Sequence, residues 1–166
     1  NNPVAQDNSF TLAEGASADE TDLDTGTNLL QGVTDVDTTD SHTVNTTPVV
    51  DASFGTLTLF SDGTFDYTHD DSENFSDTFT FQVVDAGGNT DTAEVTITIT
   101  EVNDNAPVAQ NNSFTVAEGA FADESTLDSP ANLLQGLTDV DTTDSHTVDI
   151  APIVGASFGT LTLYSN

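Results

Sequence analysis

The sequence predicts an all-β protein built from tandem β-sandwich repeats. Two observations support this fold class: apolar residues alternate with polar ones in several short segments, and the sequence repeats itself after 104 residues. An alternation with a period of two is the pattern of strands that bury one face. A repeat about the length of one small domain indicates an array of whole domains rather than a solenoid of short units.

The repeat is gapless over the whole second copy. Residues 107–166 align with residues 3–62, and the segment PVAQDNSFTLAEGASADE matches PVAQNNSFTVAEGAFADE. Of the 60 aligned pairs, 44 are identical. We therefore expect a complete repeat with its C-terminal linker over residues 1–104, and the N-terminal part of a second, truncated repeat over residues 105–166.

Alternating apolar residues predict about seven strands within one period. In chain order, the candidates are Phe10 with Leu12, Leu29 with Leu30, residues 44–50, Leu57 with Leu59, Phe65 with Tyr67, residues 79–83, and residues 93–99. The clearest alternation is in TFTFQVV and TAEVTITIT. Ser61, Asp62 and Gly63 indicate a tight hairpin, and residues 85–89 a looser one. Seven short strands at this spacing favour an immunoglobulin-like β-sandwich.

The charge balance excludes two classes of partner. The chain has 29 Asp and Glu residues and no Lys or Arg, which gives a formal net charge of −29. Nucleic acid and anionic membrane surfaces attract proteins through basic patches, so neither is an expected partner. No apolar run approaches the roughly 20 residues of a membrane span, so we expect no membrane insertion. Hydrophobic residues still make up 35 % of the chain, enough for a core.

The absence of two residue types carries further expectations. Without Cys, the fold has neither disulfides nor thiolate metal sites, so we expect another source of stability. Without Met, Asn1 is not the product of a start codon. We therefore expect the chain to be an internal or processed piece of a larger protein.

Three acidic clusters are candidates for chemistry. The linker EVNDNAP contains Glu101, Asn103, Asp104 and Asn105. The segment TDVDTTD occurs in both copies and contains Asp35, Asp37 and Asp40, then Asp139, Asp141 and Asp144. The segment DDSE contains Asp70, Asp71 and Glu73. Calcium takes six to eight oxygen ligands, and a D-x-D step lets two carboxylates converge from an irregular loop, so the ligand type fits calcium.

Acidic turns also have a simpler interpretation. Asp often caps backbone amides in solvated turns, and for DDSE taken alone this interpretation is favoured. Carboxylates about 4 Å apart repel each other by up to roughly 4 kcal/mol at an effective dielectric constant of about 20. The chain has no Lys or Arg to relieve that repulsion. For the linker cluster and the D-x-D step we therefore predict cation binding.

These residues resemble a known family. TFTFQVVDAGGNTDTAEVTITITEVNDNAPVA is similar to the last two strands and linker of a cadherin-type repeat, whose calcium motif is D-x-N-D-N-x-P. TDVDTTD is similar to the D-x-D that follows the second strand of such a repeat. PVAQDNSFTLAEG and ASFGTLTLFSDGTFDYT resemble the bacterial cadherin-like tandem repeats of very large secreted adhesins. The resemblance spans the whole period and implies extracellular, calcium-binding extender repeats.

The resemblance also implies a set of ligands. The junction between the two repeats would use Glu14, Asp71, Glu73, Glu101, Asn103, Asp104, Asn105, Asp139 and Asp141. At the junction with a preceding repeat, Asp35, Asp37 and Asp85 would supply the ligands on the side of the following repeat. Two features depart from the family pattern: the linker opens with Glu101 where the motif has Asp, and DDSE matches the D-x-E element only loosely. The chain has no Trp, so strand exchange of the animal-cadherin type is not supported.

Catalysis finds little support in the sequence, and we expect no enzyme. His42 and His146 occupy the same repeat position in a polar stretch, where an exposed histidine is expected, and the third histidine is His69. No G-x-S-x-G nucleophile motif occurs. The Asn45, Asn74 and Asn111 sequons permit surface glycans.

The favoured function is therefore a calcium-rigidified structural repeat of an extracellular adhesin or matrix fibre. Its partners would be adjacent identical repeats, with a cell-surface or polysaccharide target at the adhesive tip. One alternative is a carbohydrate-binding module, for which Phe121 in place of Ser17 is the suggestive residue. The other is a fibre subunit that polymerises by β-strand donation. Because the second copy lacks an equivalent of residues 63–104, we expect it not to fold alone, and a continuing chain or a neighbouring subunit would supply the missing strands.

Overall fold

The computed structural model of the protein describes residues 1–128, 132–151 and 154–165. The chain divides into two units, Asn1–Val102 (unit 1) and Asn103–Asn166 (unit 2). All strands found in the described residues belong to unit 1. Among the same residues, no helix has the length and apolar character needed to cross a membrane.

Unit 1 consists of two β-sheets. Its strands are β1 Asn8–Ala13, β2 Ser17–Asp19, β3 His42–Val44, β4 Gly55–Leu59, β5 Phe65–His69, β6 Ser76–Asp85 and β7 Thr90–Thr100. One sheet has four strands in the order β1-β7-β6-β3, and the other has three in the order β2-β5-β4. The prediction of an all-β fold is confirmed.

The two longest strands follow directly from the alternation in the sequence. β6 and β7 pair antiparallel over nine positions. Along β7, the buried side chains from Ala93 to Ile99 alternate with exposed ones. Phe79 of β6 lies opposite Val95 of β7, and both are fully buried, so they form a cross-strand pair on the core face.

Aromatic side chains join the two sheets into a sandwich. Phe10 and Phe79 belong to the four-stranded sheet, whereas Phe65 and Tyr67 belong to the three-stranded sheet. The ring centroids of Phe10 and Phe65 are 5.7 Å apart, as are those of Phe65 and Phe79. Ring pairs at this separation stabilise a core beyond the burial of area alone. The β-sandwich prediction is therefore confirmed.

The first and last strands of unit 1 lie side by side and run parallel. β1 is in register with β7 over all six of its residues. Beyond the paired residues, Glu14 N donates to Thr100 O at 2.9 Å, and at the opposite end Asn2 Nδ2 donates to Thr90 O at 3.3 Å. We call the end with Glu14 and Thr100 the exit end, and the end with Asn2 and Thr90 the entry end.

A buried carboxylate anchors the segment before β4. Asp77 of β6 is 5 % exposed and accepts hydrogen bonds from Ser53 N and Phe54 N, both at 2.9 Å. The Tyr67 hydroxyl also donates to Asp77, at 3.0 Å. Burial raises the pKa of Tyr67, and the hydrogen bond to Asp77 raises it further. The carboxylate thus connects β5, β6 and the chain that leads into β4.

One predicted strand is a turn. Leu30 N donates to Asn28 Oδ1 at 3.0 Å, and Leu29 N donates to Gly63 O at 2.9 Å. The Asn28 side chain satisfies a backbone group locally, which competes with strand pairing. Leu29 is nevertheless fully buried in the core. The burial expected for Leu29 is therefore confirmed, but the strand predicted at Leu29 and Leu30 is wrong.

One further strand prediction is corrected at its boundary, and one strand was missed. The strand predicted over residues 44–50 ends at Val44, and beyond it Val50 makes an isolated bridge with Thr80. Pro48 lies between them and has no backbone N–H to donate to a ladder. β2, which was not predicted, is three residues long and buries only Ala18. So short a strand leaves no alternation to detect.

Unit 2 repeats the start of unit 1 in sequence but not in secondary structure. Its described residues form no strand; they contain the Val108–Thr138 bridge and the 3-10 turn Glu124–Thr126. Phe114 is 53 % exposed, whereas the equivalent Phe10 is 1 % exposed. In unit 1, β1 pairs with β7, and residues 105–165 contain no counterpart of that strand. The local sequence therefore forms a strand only where its partner is present.

Candidate metal sites

A buried acidic side chain lies at the exit end of unit 1. Glu14 follows β1 and is 7 % exposed. Its Oε2 accepts a hydrogen bond from Val102 N at 3.3 Å, whereas its Oε1 is buried without a hydrogen-bond partner. A buried carboxylate oxygen that lacks a donor is destabilising unless something else compensates its charge. A bound cation is one way to do so.

Asp71 packs against the turn that carries Glu14. A side chain at Gly15 would place its Cβ 2.4 Å from Asp71 Oδ1, so the carboxylate occupies the space that glycine leaves open. Gly15 has φ +65°, and Asp71 is itself in the left-handed region at φ 66°. The structure therefore brings two of the predicted ligands, Glu14 and Asp71, to adjacent segments of the chain.

The other two predicted ligands of unit 1's exit end lie in flanking segments. Glu73 is in the loop between β5 and β6, and Glu101 directly follows β7. Ile99 N donates to Phe75 O at 3.0 Å, which holds this loop beside the end of β7. Both side chains are partly buried. The exit end thus collects four acidic residues from segments that are distant in sequence.

A second carboxylate group lies at the entry end. Asp35, Asp40 and Asp85 each offer a carboxylate oxygen, and these atoms lie within 4.8 Å of one another. Asp85 accepts hydrogen bonds from Asn89 N and Asn89 Nδ2, both at 2.8 Å, and the side-chain bond lowers its pKa. Asp40 was not among the predicted ligands, although it belongs to the same acidic segment.

Asp37, which was predicted as a ligand, is not part of that group. Its Oδ2 accepts a hydrogen bond from Asn1 N at 2.7 Å. Asp35 stabilises the loop locally, because its Oδ1 accepts a hydrogen bond from Asp37 N at 2.9 Å. The two carboxylates of the D-x-D step therefore have different partners.

Unit 2 repeats the geometry of the D-x-D loop. Asp139 Oδ1 accepts from Asp141 N at 3.1 Å, as Asp35 does from Asp37 N. Asp141 Oδ2 accepts from Asn105 N at 2.8 Å, the equivalent of the contact between Asp37 and Asn1. The loop conformation is therefore a property of the repeated sequence.

The linker residues of unit 2 gather around Asp141. Asn105 Nδ2 donates to Asp104 Oδ1 at 3.1 Å and to Asp141 Oδ1 at 3.3 Å. Asp141 is 2 % exposed, whereas Asn103, Asp104 and Asn105 are exposed. Three of the predicted ligands, Asp104, Asn105 and Asp141, are thus held together by hydrogen bonds.

The histidines were misjudged from the sequence. His42 and His146 are partly buried rather than exposed: His42 Nε2 lies 3.2 Å from Asp35 Oδ2, and His146 Nε2 lies 2.7 Å from Asp139 Oδ2. The hydrogen bond with His146 lowers the pKa of Asp139. The spacing of Asp and His is the same in both copies, and this repetition was the available signal.

The donor atoms fit calcium. Carboxylate and amide oxygens are the ligands that calcium prefers. Glu14 Oε1 is buried without a donor, and the chain has no Lys or Arg to compensate the acidic groups. Asp35, Asp40 and Asp85 at the entry end could hold an ion, and so could Asp139, Asp144 and His146 in unit 2.

Comparison with known proteins decides the family. Residues 1–101 match the family model described as bacterial cadherin-like domain. The chain belongs to this family. The match covers both sheets of unit 1 and the acidic segments at its two ends, and it stops before the linker residues Asn103, Asp104 and Asn105. No curated protein matches the cadherin-like chain.

Several solved structures resemble the cadherin-like chain in part. Protocadherin Gamma B2 extracellular cadherin domains 3-6 are 22 % identical over 65 % of this chain and 24 % of that one, with a TM-score of 0.41. The protocadherin gammaB7 EC3-6 cis-dimer structure is 21 % identical over 69 % and 29 %, with a TM-score of 0.44. A nucleoside hydrolase-related hypothetical protein from Saccharophagus degradans, associated with carbohydrate metabolism, is 14 % identical over 60 % and 26 %, with a TM-score of 0.44. The cadherin-like chain therefore spans about a quarter of the length of these solved chains.

Proposed function

We propose that the chain is a piece of an extracellular adhesin or surface fibre whose cadherin-like repeats are stiffened by calcium. Such repeats act as spacers in cell adhesion or in a biofilm matrix. The observation that carries the proposal is Glu14, whose buried Oε1 has no donor at the exit end of a repeat. The proposal assigns no catalytic role to the chain.

The roles of the residues follow from their charges. A bound calcium ion supplies the positive charge that the sequence lacks. At the exit end, Glu14, Asp71, Glu73 and Glu101 would hold it, and at the entry end Asp35, Asp40 and Asp85. Within unit 2, Asp104, Asn105, Asp139 and Asp141 would offer oxygens to ions bound by that unit. Without the ion these carboxylates repel one another, so the segments that carry them are held less firmly.

Calorimetric titration with calcium tests the sites. We expect Glu14→Gln and Asp104→Ala to weaken binding much more than Asp51→Ala. Asp51 is a matched control for charge, because it is exposed and the second copy has Gly155 at the same position. Equal losses for all three variants would show diffuse counterion binding and contradict the site assignment.

Small-angle scattering tests the stiffening. A chain of two complete repeats can be made by extending residues 105–166 with the sequence of residues 63–104. We expect its maximum dimension to be larger in millimolar calcium than in chelator. With dissociation constants of about 10⁻⁴ to 10⁻³ M, each bound ion stabilises the folded state by roughly 0.4 to 1.4 kcal/mol at millimolar calcium. An unchanged maximum dimension would contradict a spacer that depends on calcium.

A second candidate function is supported by the surface of unit 2. Phe114 and Val116 are 53 % and 44 % exposed, whereas the equivalent Phe10 and Leu12 are 1 % and 8 % exposed. A fibre subunit that takes up strands from a neighbouring chain would cover such a surface. Denaturing electrophoresis of native fibres distinguishes the two candidates. A discrete band near 17.3 kDa would favour strand donation, and a much larger band a continuous chain of repeats.

A further inference from the structure

His69 connects two segments at the exit end. It is the last residue of β5 and is 3 % exposed. Its Nδ1 accepts hydrogen bonds from two backbone amides, Gly15 N at 3.2 Å and Asp71 N at 3.3 Å. A ring nitrogen that accepts hydrogen bonds carries no proton, so the neutral ring has its hydrogen on Nε2.

The two amides belong to the segments that carry Glu14 and Asp71. Gly15 directly follows Glu14, and Asp71 donates through its own backbone. These segments are more than fifty residues apart in sequence, and one imidazole nitrogen fixes the separation of their backbones. Asp71 has φ 66°, in the left-handed region, which Asp adopts more readily than most residues other than glycine.

The arrangement is unfavourable for a residue that only fills the core. The other ring nitrogen, Nε2, is buried without a hydrogen-bond partner, and the nearest acidic oxygen, Asp70 Oδ1, is 3.9 Å away. A buried N–H without an acceptor costs free energy. An apolar side chain would avoid that cost but would leave the amides of Gly15 and Asp71 without their acceptor.

We propose that His69 is a positioning residue that aligns the carboxylates of Glu14 and Asp71 for a divalent cation. The inference rests on the proposed calcium function and adds a residue that donates no ligand atom itself. Side chains that orient metal ligands typically change metal affinity by about 10- to 100-fold when they are removed. The same loss is expected here if the acceptor at Nδ1 is removed.

Three variants of the full chain test the proposal by calorimetry with calcium chloride. His69→Leu fills the space but removes the acceptor, and we expect at least about a tenfold loss of calcium affinity. His69→Asn places a carbonyl oxygen near the position of Nδ1, and we expect it to restore most of the affinity. Tyr67→Phe is the control, since it removes from the same strand a hydroxyl that forms hydrogen bonds with Asp77 and Phe54. It should lower the unfolding midpoint without changing the affinity.

The outcomes separate this proposal from the function on which it rests. If the wild type itself shows no saturable calcium binding, the proposed function is wrong. If the wild type binds calcium and His69→Leu binds it equally well, the positioning role alone is wrong. If His69→Leu fails to fold, the nitrogen NMR chemical shifts of the His69 ring in the wild type test the proposal instead. The proposal requires that the ring hydrogen is on Nε2, because Nδ1 accepts the two amide hydrogen bonds. A hydrogen found on Nδ1 would overturn it.

Discussion

Gly15 shows how a single residue shapes the exit end. Its φ of +65° is costly for other residues, and a Cβ would lie 2.4 Å from Asp71 Oδ1. Gly88 has a similar φ of +83°, but nothing lies within 4 Å of the position of a Cβ. Gly88→Ala should therefore cost about 1 to 2 kcal/mol of unfolding free energy, from the backbone alone.

We expect Gly15→Ala to cost more than Gly88→Ala, because Asp71 must also move. Denaturant unfolding of both variants gives the difference, and calcium titration shows whether Asp71 has left its place. Equal unfolding free energies for the two variants would mean that Asp71 gives way without cost.

The turn between β4 and β5 allows a test by pH. Thr64 Oγ1 donates to Asp62 Oδ1 at 2.7 Å, and this bond lowers the pKa of Asp62 from its ordinary value of 3.8. Since the native pKa is below the unfolded one, the stabilisation is complete above the unfolded value and disappears as the pH falls through the native value.

Thr64→Val removes the hydroxyl and keeps the net charge. We expect the variant to be less stable than the wild type above about pH 5, with a difference that shrinks towards about pH 2. Carboxyl NMR titration should show a higher pKa for Asp62 in the variant. A stability difference that does not depend on pH would show that the hydroxyl acts through packing instead.

At the scale of the element, the hydrogen bonds to Asp77 predict different losses of stability for two variants. Asp77→Ala leaves Ser53 N and Phe54 N without their acceptor and leaves the Tyr67 hydroxyl with only its longer bond to Phe54 O, at 3.3 Å. We therefore expect a loss of about 3 kcal/mol of unfolding free energy. Tyr67→Phe removes one hydroxyl, which donates to Asp77 Oδ2 at 3.0 Å and lies 3.3 Å from Phe54 O, and should cost about 1 kcal/mol. Amide exchange at Ser53 and Phe54 should accelerate only in Asp77→Ala. If exchange there is unchanged, the carboxylate does not hold the segment before β4.

Strand elements could be predicted where the pattern was long enough. β6 and β7 alternate over ten and eleven residues, and the sequence identifies both. β2 has one buried residue and offers no pattern. The strand predicted at Leu29 and Leu30 was wrong because apolar residues indicate burial but not hydrogen bonding. Here the Asn28 side chain accepts the hydrogen bond of Leu30 N and forms a turn.

The candidate sites were predictable in type but not in geometry. The acidic segments and the family resemblance predicted Glu14, Asp35 and Asp85 as ligands, and their binding of calcium stays a prediction. The pairing of Asp35 with His42 had a local signal in the repeated spacing, which was missed in reading the sequence. The two hydrogen bonds to His69 could not be predicted, because they depend on how distant segments meet. A contact between residues 15 and 69 has no signature in the local sequence.

At the scale of the whole molecule, the two copies allow a comparison of nearly the same sequence with and without its partner strand. Residues 112–117 are the counterpart of β1 but form no strand, and Phe114 is half exposed. Extending the chain with the sequence of residues 63–104 should supply the missing partner. We expect amides of residues 112–117 to become protected from hydrogen exchange to the extent seen for Asn8–Ala13. Continued fast exchange would show that the substitutions between the copies, such as Val116 for Leu12, prevent the strand.

The parallel pairing of β1 with β7 has a mechanical consequence. A force that pulls Asn1 and Val102 apart acts on the two strands in opposite directions along their lengths. Because the strands are in register over all six residues of β1, the load falls on every hydrogen bond between them at once. The bonds must then break together in shear rather than one after another, as they would when a hairpin is unzipped from its open end. A repeat of this topology therefore resists extension along its own axis.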